Sequence, residues 1–249
     1  HINATQHKHI LSLENPIEFL HRDIQCSVTQ REIGVDTDSF KMGLRAALRQ
    51  DPDVILISEM RDSETIDTAM KAAETGHLLV STLHTPDAQS TVLRVLAMFP
   101  PEEQEVVRGR LAESLHAVVS QRLLPKTSGG RAAALEIMVV TPTIRDLILD
   151  KDRTGEIRDF IAEGREQDGM QTFDQHLTDL VQNDEVEFEV AIAASTRPSD
   201  FELKLKTFRR RSTMAKKVVD VPPEPPKSDP ATLGGMVGMS TGFDFLQQS

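Results

Sequence analysis

The strongest constraint on this chain is a repeated switch of hydrophobic period. Short apolar runs at 10–13, 54–57 and 78–82 have the length of strands, and the stretches between them place apolar residues at helical spacing. In "DSFKMGLRAALRQDP" Asp38 or Ser39 can cap a helix, Phe40, Leu44, Ala47 and Leu48 recur along one face, and Pro52 stops the run. In "DSETIDTAMKAAETG" Asp62 or Ser63 can cap, and Gly76 stands where a helix end takes positive φ. Strands that alternate with helices build parallel sheets, so the expected class is α/β.

Beyond Thr85 the pattern is helical. "DAQSTVLRVLAMF" ends at Pro100 and Pro101, and "EEQEVVRGRLAESLHAVVSQRLL" is expected as one long amphipathic helix ending near Pro125. A Gly129–Gly130 turn then leads to a strand at 132–140. After Pro142 come "TIRDLILD", "GEIRDFIAEGREQ" and "TFDQHLTDLVQND" as separate helices. The expected organisation is a core over 1–140, a C-terminal helical subdomain over 141–211 and a disordered tail over 212–249, whose Pro- and Gly-rich composition buries little apolar surface.

The 249 residues suffice for a sizeable core, and the net charge of −11 argues against a protein that grips a phosphate backbone with clustered Lys and Arg. Nucleic acid is therefore not an expected partner. The single Cys26 excludes an internal disulfide, which fits a reducing, cytoplasmic setting. No run of about 18 apolar residues occurs. The sequence opens on "HINATQHKHILSLENP" without Met and enters a strand at once, so it is expected to be a piece of a longer protein.

The chemistry concentrates where strands end. Glu59 directly follows the run "VILIS", and ligands of open parallel sheets gather at the carboxyl ends of strands. An acid opening the next helix is the plainer alternative. In "LSLENPIEFLH" a strand again runs into acids, Glu14 and Glu18, with Pro16 holding Asn15 out of the helical region. Such acids suit Mg²⁺ bound through water and phosphate, or a general base, and equally suit a solvated loop. His84 lies past the end of the third run, while His77 lies at its start. A strand between them separates the two by roughly 20 Å, so they do not share an ion. Arg45, Arg49 and Arg61 can face the same mouth or a subunit edge, and Arg offers a planar fork of donors for phosphoryl charge.

Taken in order, these motifs resemble the type II/IV secretion ATPase superfamily, and most closely its type IV pilus retraction ATPases of the PilT and PilU type. "LENPIEF" resembles that family's Asp box, "DPDVILISEMRD" its Walker B, "TGHLLVSTLHT" its His box and "TPTIRDLILD" its C-terminal AIRNLIRE-type motif; "GMQTFDQHL" adds to the retraction-type likeness. The likeness runs over about 8–205, and the tetracysteine insertion of many extension and secretion ATPases is absent.

The resemblance implies a RecA-like P-loop NTPase core, incomplete at its N-terminus, in a homo-hexameric motor that hydrolyses ATP with Mg²⁺ to retract a pilus. It implies Glu59 as the carboxylate that activates water, assisted by Glu18, with Glu14 near Mg²⁺. It further implies His84 near the γ-phosphate and Arg49 and Arg61 as charge-stabilising arginines. Ser58 stands where the family's Gly is usual. Ile144, Arg145 and Leu147 fall in the motif that the family needs for retraction. The implied setting is the cytoplasmic face of the inner membrane, with a pilus platform protein and a paralogous retraction ATPase as partners. A PilU-type accessory role or a secretion or DNA-uptake relative stays open. This sequence contains no G-x-x-x-x-G-K-[ST], and "GGRAAALE" lacks the Lys-Ser pair. The resemblance places that loop upstream of His1; a chain complete as it stands would instead suit a nonhydrolytic scaffold.

Overall fold

The first strand pairs with partners on both sides, and everything in the N-terminal half is arranged around that pairing. A computed structural model describes residues 1–203 and 206. After the short helix α1 (Ile2–Thr5) come β1 (His9–Glu14) and β2 (Ser27–Glu32), then α2 (Phe40–Ala47), β3 (Val54–Ile57), α3 (Ser63–Glu74) and β4 (Leu78–Ser81). The four strands form one sheet in the order β2-β1-β3-β4, parallel throughout. Ile10 is level with Val54, and Val54 with Leu78.

Alternation along the two central strands explains why α2 and α3 lie where they do. Leu11, Leu13, Ile55 and Ile57 point to one face and are fully buried with Leu44, Ala47, Ala69 and Ala72. Gly43 lets α2 approach closely: a Cβ there would meet Leu13 Cδ2 at 2.9 Å. Both expected caps form. Ser39 accepts the Met42 N–H at 3.2 Å, and Asp62 accepts that of Thr65 at 2.8 Å. On the opposite face Leu56, Leu78 and Val80 are exposed.

β2 is absent from the sequence expectation. Its residues, "SVTQRE", are mostly polar because it is an edge strand that needs only β1 as a ladder partner.

The long helix expected to reach Pro125 is corrected. Following α4 (Ala88–Ala97), α5 runs only over Gln104–Ser114, and Ala117–Pro125 is a strand, β5, paired antiparallel with β6 (Arg131–Val139). Helical spacing of apolar residues does not exclude a strand here. Ser120 and Leu124 are buried while Val119 and Leu123 are exposed, which is a period-2 pattern. The hairpin turn settles the contest, with Gly129 at φ 86° and Gly130 at φ 79°.

The first of the three expected helices is α6 (Pro142–Leu149); the second, "GEIRDFIAEGREQ", is divided at Gly164 into α7 (Ile157–Glu163) and α8 (Arg165–Asp168); the third is α9 (Phe173–Gln182), and α10 (Phe188–Ala194) is additional. One apolar cluster includes Val92, Leu96, Leu111, Met138, Ile144 and Ile161, so packing runs across residue 141. His1–Leu205 forms one compact unit. The tail expected over 212–249 lies outside the described residues.

Candidate functional site

The site begins where the ladder of β3 stops. The Ser58 N–H donates to Leu13 O at 2.9 Å, which carries the chain one residue past Ile57 in register with β1. Glu59 then turns into the space beyond the carboxyl end of the sheet, 9% exposed. The chain leaving β4 is fastened beside it, because Thr82 Oγ1 donates to Ser58 O and the Met60 N–H donates to Thr82 O at 3.4 Å. These bonds bring the end of β4, and with it His84, over the acid.

Two groups flank that carboxylate. Arg61 Nη2 pairs with Glu59 Oε1, and His84 Nε2 lies 3.5 Å from Oε2. The carboxylate is largely enclosed at 12% side-chain exposure, whereas Arg61 and His84 are 71% and 89% exposed. A buried acid is thus flanked by two exposed groups. The cleft they frame has a volume of about 440 Å³ and is completed by Arg94, with Met60 and Met98 as its apolar wall. Such a mouth offers guanidinium and imidazole donors to an anion and a carboxylate to a water.

The other sequence candidates fall in different places. Glu14 stands at the same strand edge, yet its Oε1 is taken by Ser12 Oγ at 2.6 Å and Gln30 Nε2 at 2.9 Å. Glu18 is exposed on the loop beyond it. Among the described residues no group of three His, Cys, Asp or Glu side chains is placed to hold a metal. Arg49 follows α2 and precedes β3, which puts it toward the amino ends of the strands; its Nη1 donates to Arg45 O at 3.0 Å. It does not join the cleft. His77 has the structural role expected of it, with Nδ1 2.9 Å from Ala72 O and 3.1 Å from Thr75 Oγ1.

In the 141–150 motif Thr141 caps α6 by accepting the Ile144 N–H at 3.3 Å, and Ile144 and Leu147 are fully buried in the core. Only Arg145 of the three is exposed. Arg94 is the cleft residue that sequence reasoning missed. It has no hydrogen-bond or ion-pair partner among the described residues, and nothing in its spacing separates it from a solvated helix arginine.

Known proteins share this chain's family and fold. The family described as Type II/IV secretion system protein matches residues 1–186. The chain is 48% identical over 201 residues to the type IV pilus retraction ATPase PilT of Pseudomonas aeruginosa, covering 81% of this chain and 58% of that protein. It is 50% identical over 182 residues to a twitching motility protein of Neisseria gonorrhoeae, covering 73% and 48%. Its fold matches a crystal structure of the pilus retraction motor PilT with bound ADP at a TM-score of 0.73 and 44% identity, over 81% of this chain and 56% of that one. A Legionella pneumophila ATPase, DotB, matches at a TM-score of 0.68 and 29% identity, over 77% and 53%. The chain thus spans about half the length of the relatives it matches. The mixed α/β fold with its parallel sheet is the RecA-like core of these ATPases. The chain belongs to the type II/IV secretion system protein family and resembles its type IV pilus retraction ATPases.

Proposed function

We propose that this chain belongs to a subunit that hydrolyses ATP to drive type IV pilus retraction. The observation that carries the reading is Glu59, enclosed at the carboxyl end of a central parallel strand with Arg61 and His84 on its two oxygens. Phosphoryl transfer asks a protein mainly for position and charge, and this cleft supplies both. Phosphate oxygens draw Arg61 toward themselves, which releases Glu59 Oε1 to hold the attacking water. His84 and Arg94 then face the charge that develops on the transferred group.

Glu18, exposed nearby, assists from the loop after β1, and Glu14 steadies that strand end. With no three-ligand set among the described residues, Mg²⁺ would enter with the phosphates of the nucleotide. Arg49, lying away from the cleft, acts across a subunit boundary in a ring of six. Arg145 is the surface group of the retraction motif, and Ile144 and Leu147 hold its helix in the core. The partners on this reading are identical subunits, a paralogous retraction ATPase and an inner-membrane pilus platform protein on its cytoplasmic side. No helix among the described residues is long and apolar enough to cross a membrane, which suits a peripheral subunit.

The test uses the complete protein with Glu59→Gln. ATP should still bind while phosphate release stops and cells lose twitching; hydrolysis near the unmodified rate would reject Glu59 as the base.

A further inference from the structure

Glu136 is a buried carboxylate for which the proposed chemistry has no use. It sits in β6 between apolar neighbours, 3% exposed. A charge so placed is unfavourable unless hydrogen bonds replace its water. One such bond comes from a helix start: Oε1 accepts the Ala88 N–H of α4 at 2.9 Å, and the Phe173 N–H at the start of α9 also favours the charged form. Its surroundings are charged on both sides. Asp87 and Arg158 both act on it, and Arg158 is itself paired with Asp174 at 2.8 Å.

Ala88 is only four residues after His84, and the chain between them is stiffly tied. The Thr85 N–H donates to Leu83 O at 3.1 Å, Thr85 Oγ1 lies 2.7 Å from Thr91 Oγ1, and Asp87 Oδ1 accepts the Ser90 N–H at 2.7 Å. This loop has two anchors on other elements. Thr82 fastens one end to Ser58 beyond β3, and Ala88 fastens the other to Glu136 on β6.

We propose that Glu136 is a positioning residue for His84: by fixing the first residue of α4 it sets where the imidazole stands relative to Glu59, and it links that loop to α9. The inference rests on the ATPase reading above. It gives the C-terminal helices a physical route to the cleft, since movement of α9 or β6 reaches His84 through one carboxylate.

A double-mutant cycle in the complete protein tests it, using Glu136→Gln, His84→Ala and both together. Gln keeps one acceptor but turns an amide N–H toward the second donor, so the loop should loosen without loss of the fold. The expected result is a kcat lowered about fivefold with KM for ATP changed less than about twofold, and less than about twofold further loss when His84 is already Ala. Backbone hydrogen exchange over 82–91 should also speed up in Glu136→Gln. Equal losses in both backgrounds, or unchanged exchange over 82–91, would overturn the proposal. Glu136→Asp keeps the charge and withdraws it by one methylene, and it enters the same cycle if the Gln form does not fold. Two controls separate the claims: absence of ATP turnover in the unmodified complete protein sinks the ATPase reading and turnover retained in Glu59→Gln rejects Glu59 as its base, whereas equal losses in an active protein with an inactive Glu59→Gln sink only the role of Glu136.

Discussion

Glu59 and Glu136 are two carboxylates of similar burial, 9% and 3% exposed, with opposite surroundings. Glu59 faces side chains whose ends are in solvent, Arg61 and His84. Glu136 faces backbone N–H groups at the starts of two helices, which have nowhere to go. Burial alone therefore does not reveal what an acid does. The partners do: exchangeable ones leave a carboxylate available for chemistry, and fixed ones turn it into a joint.

The two acids should separate on turnover first. Glu59→Gln is expected to lower kcat by about 10²–10⁴-fold, the range for losing a general base, while the thermal midpoint stays in place. An equal fall in midpoint would erase the distinction between the two sites.

Stability should give the reverse ranking. Glu136→Leu removes the acceptor of a buried Ala88 N–H and is expected to destabilise the fold by about 1–3 kcal/mol in denaturant unfolding. No change would show that the joint is dispensable.

Arg94 extends the contrast to the cleft rim. Having no partner among the described residues, it can be removed without disturbing the fold. Arg94→Ala should lower kcat/KM for ATP about tenfold through loss of one charged hydrogen bond, at unchanged midpoint.

The smallest effect concerns pH. Burial pushes the Glu136 carboxyl above its ordinary value, with Asp87 acting the same way and the Ala88 N–H and Arg158 opposing. A carboxyl raised on folding contributes stability at pH below its unfolded pKa, and that contribution is lost as pH rises through the folded value. The midpoint of Glu136→Gln minus that of the unmodified protein should therefore become more positive between pH 4 and pH 7, because Gln carries no charge to bury. A difference that stays flat would mean that folding does not raise the Glu136 carboxyl.

The sheet core was readable because it is redundant. Leu11, Leu13, Ile55 and Ile57 announce strands, Ser39 and Asp62 announce the intervening helices, and each choice supports its neighbours. β2 was not readable, since an edge strand carries no apolar alternation to find. β5 was misread because its apolar residues satisfy both periods, and only pairing with β6 decides between them. The site divides similarly. Glu59 and His84 are visible as polar residues that end apolar runs, whereas Arg94 reaches the cleft only through folding of α4. Arg49 looked like a companion of Arg61 by order along the chain, yet a strand between them sends it to the other edge of the sheet. Glu136 stood in plain view within "AAALEIMVV", but its donors, Ala88 and Phe173, lie 48 and 37 residues away in sequence.

The most direct measurement is a structure of the complete protein holding ADP and a fluoride mimic of the transferred phosphoryl group. A Glu59 oxygen should lie about 3 Å from the water in line with that mimic, with Arg61 turned from Glu59 onto the mimic and His84 beside it. A nucleotide seated elsewhere, or Glu59 still paired to Arg61 with no water between acid and mimic, would contradict the account.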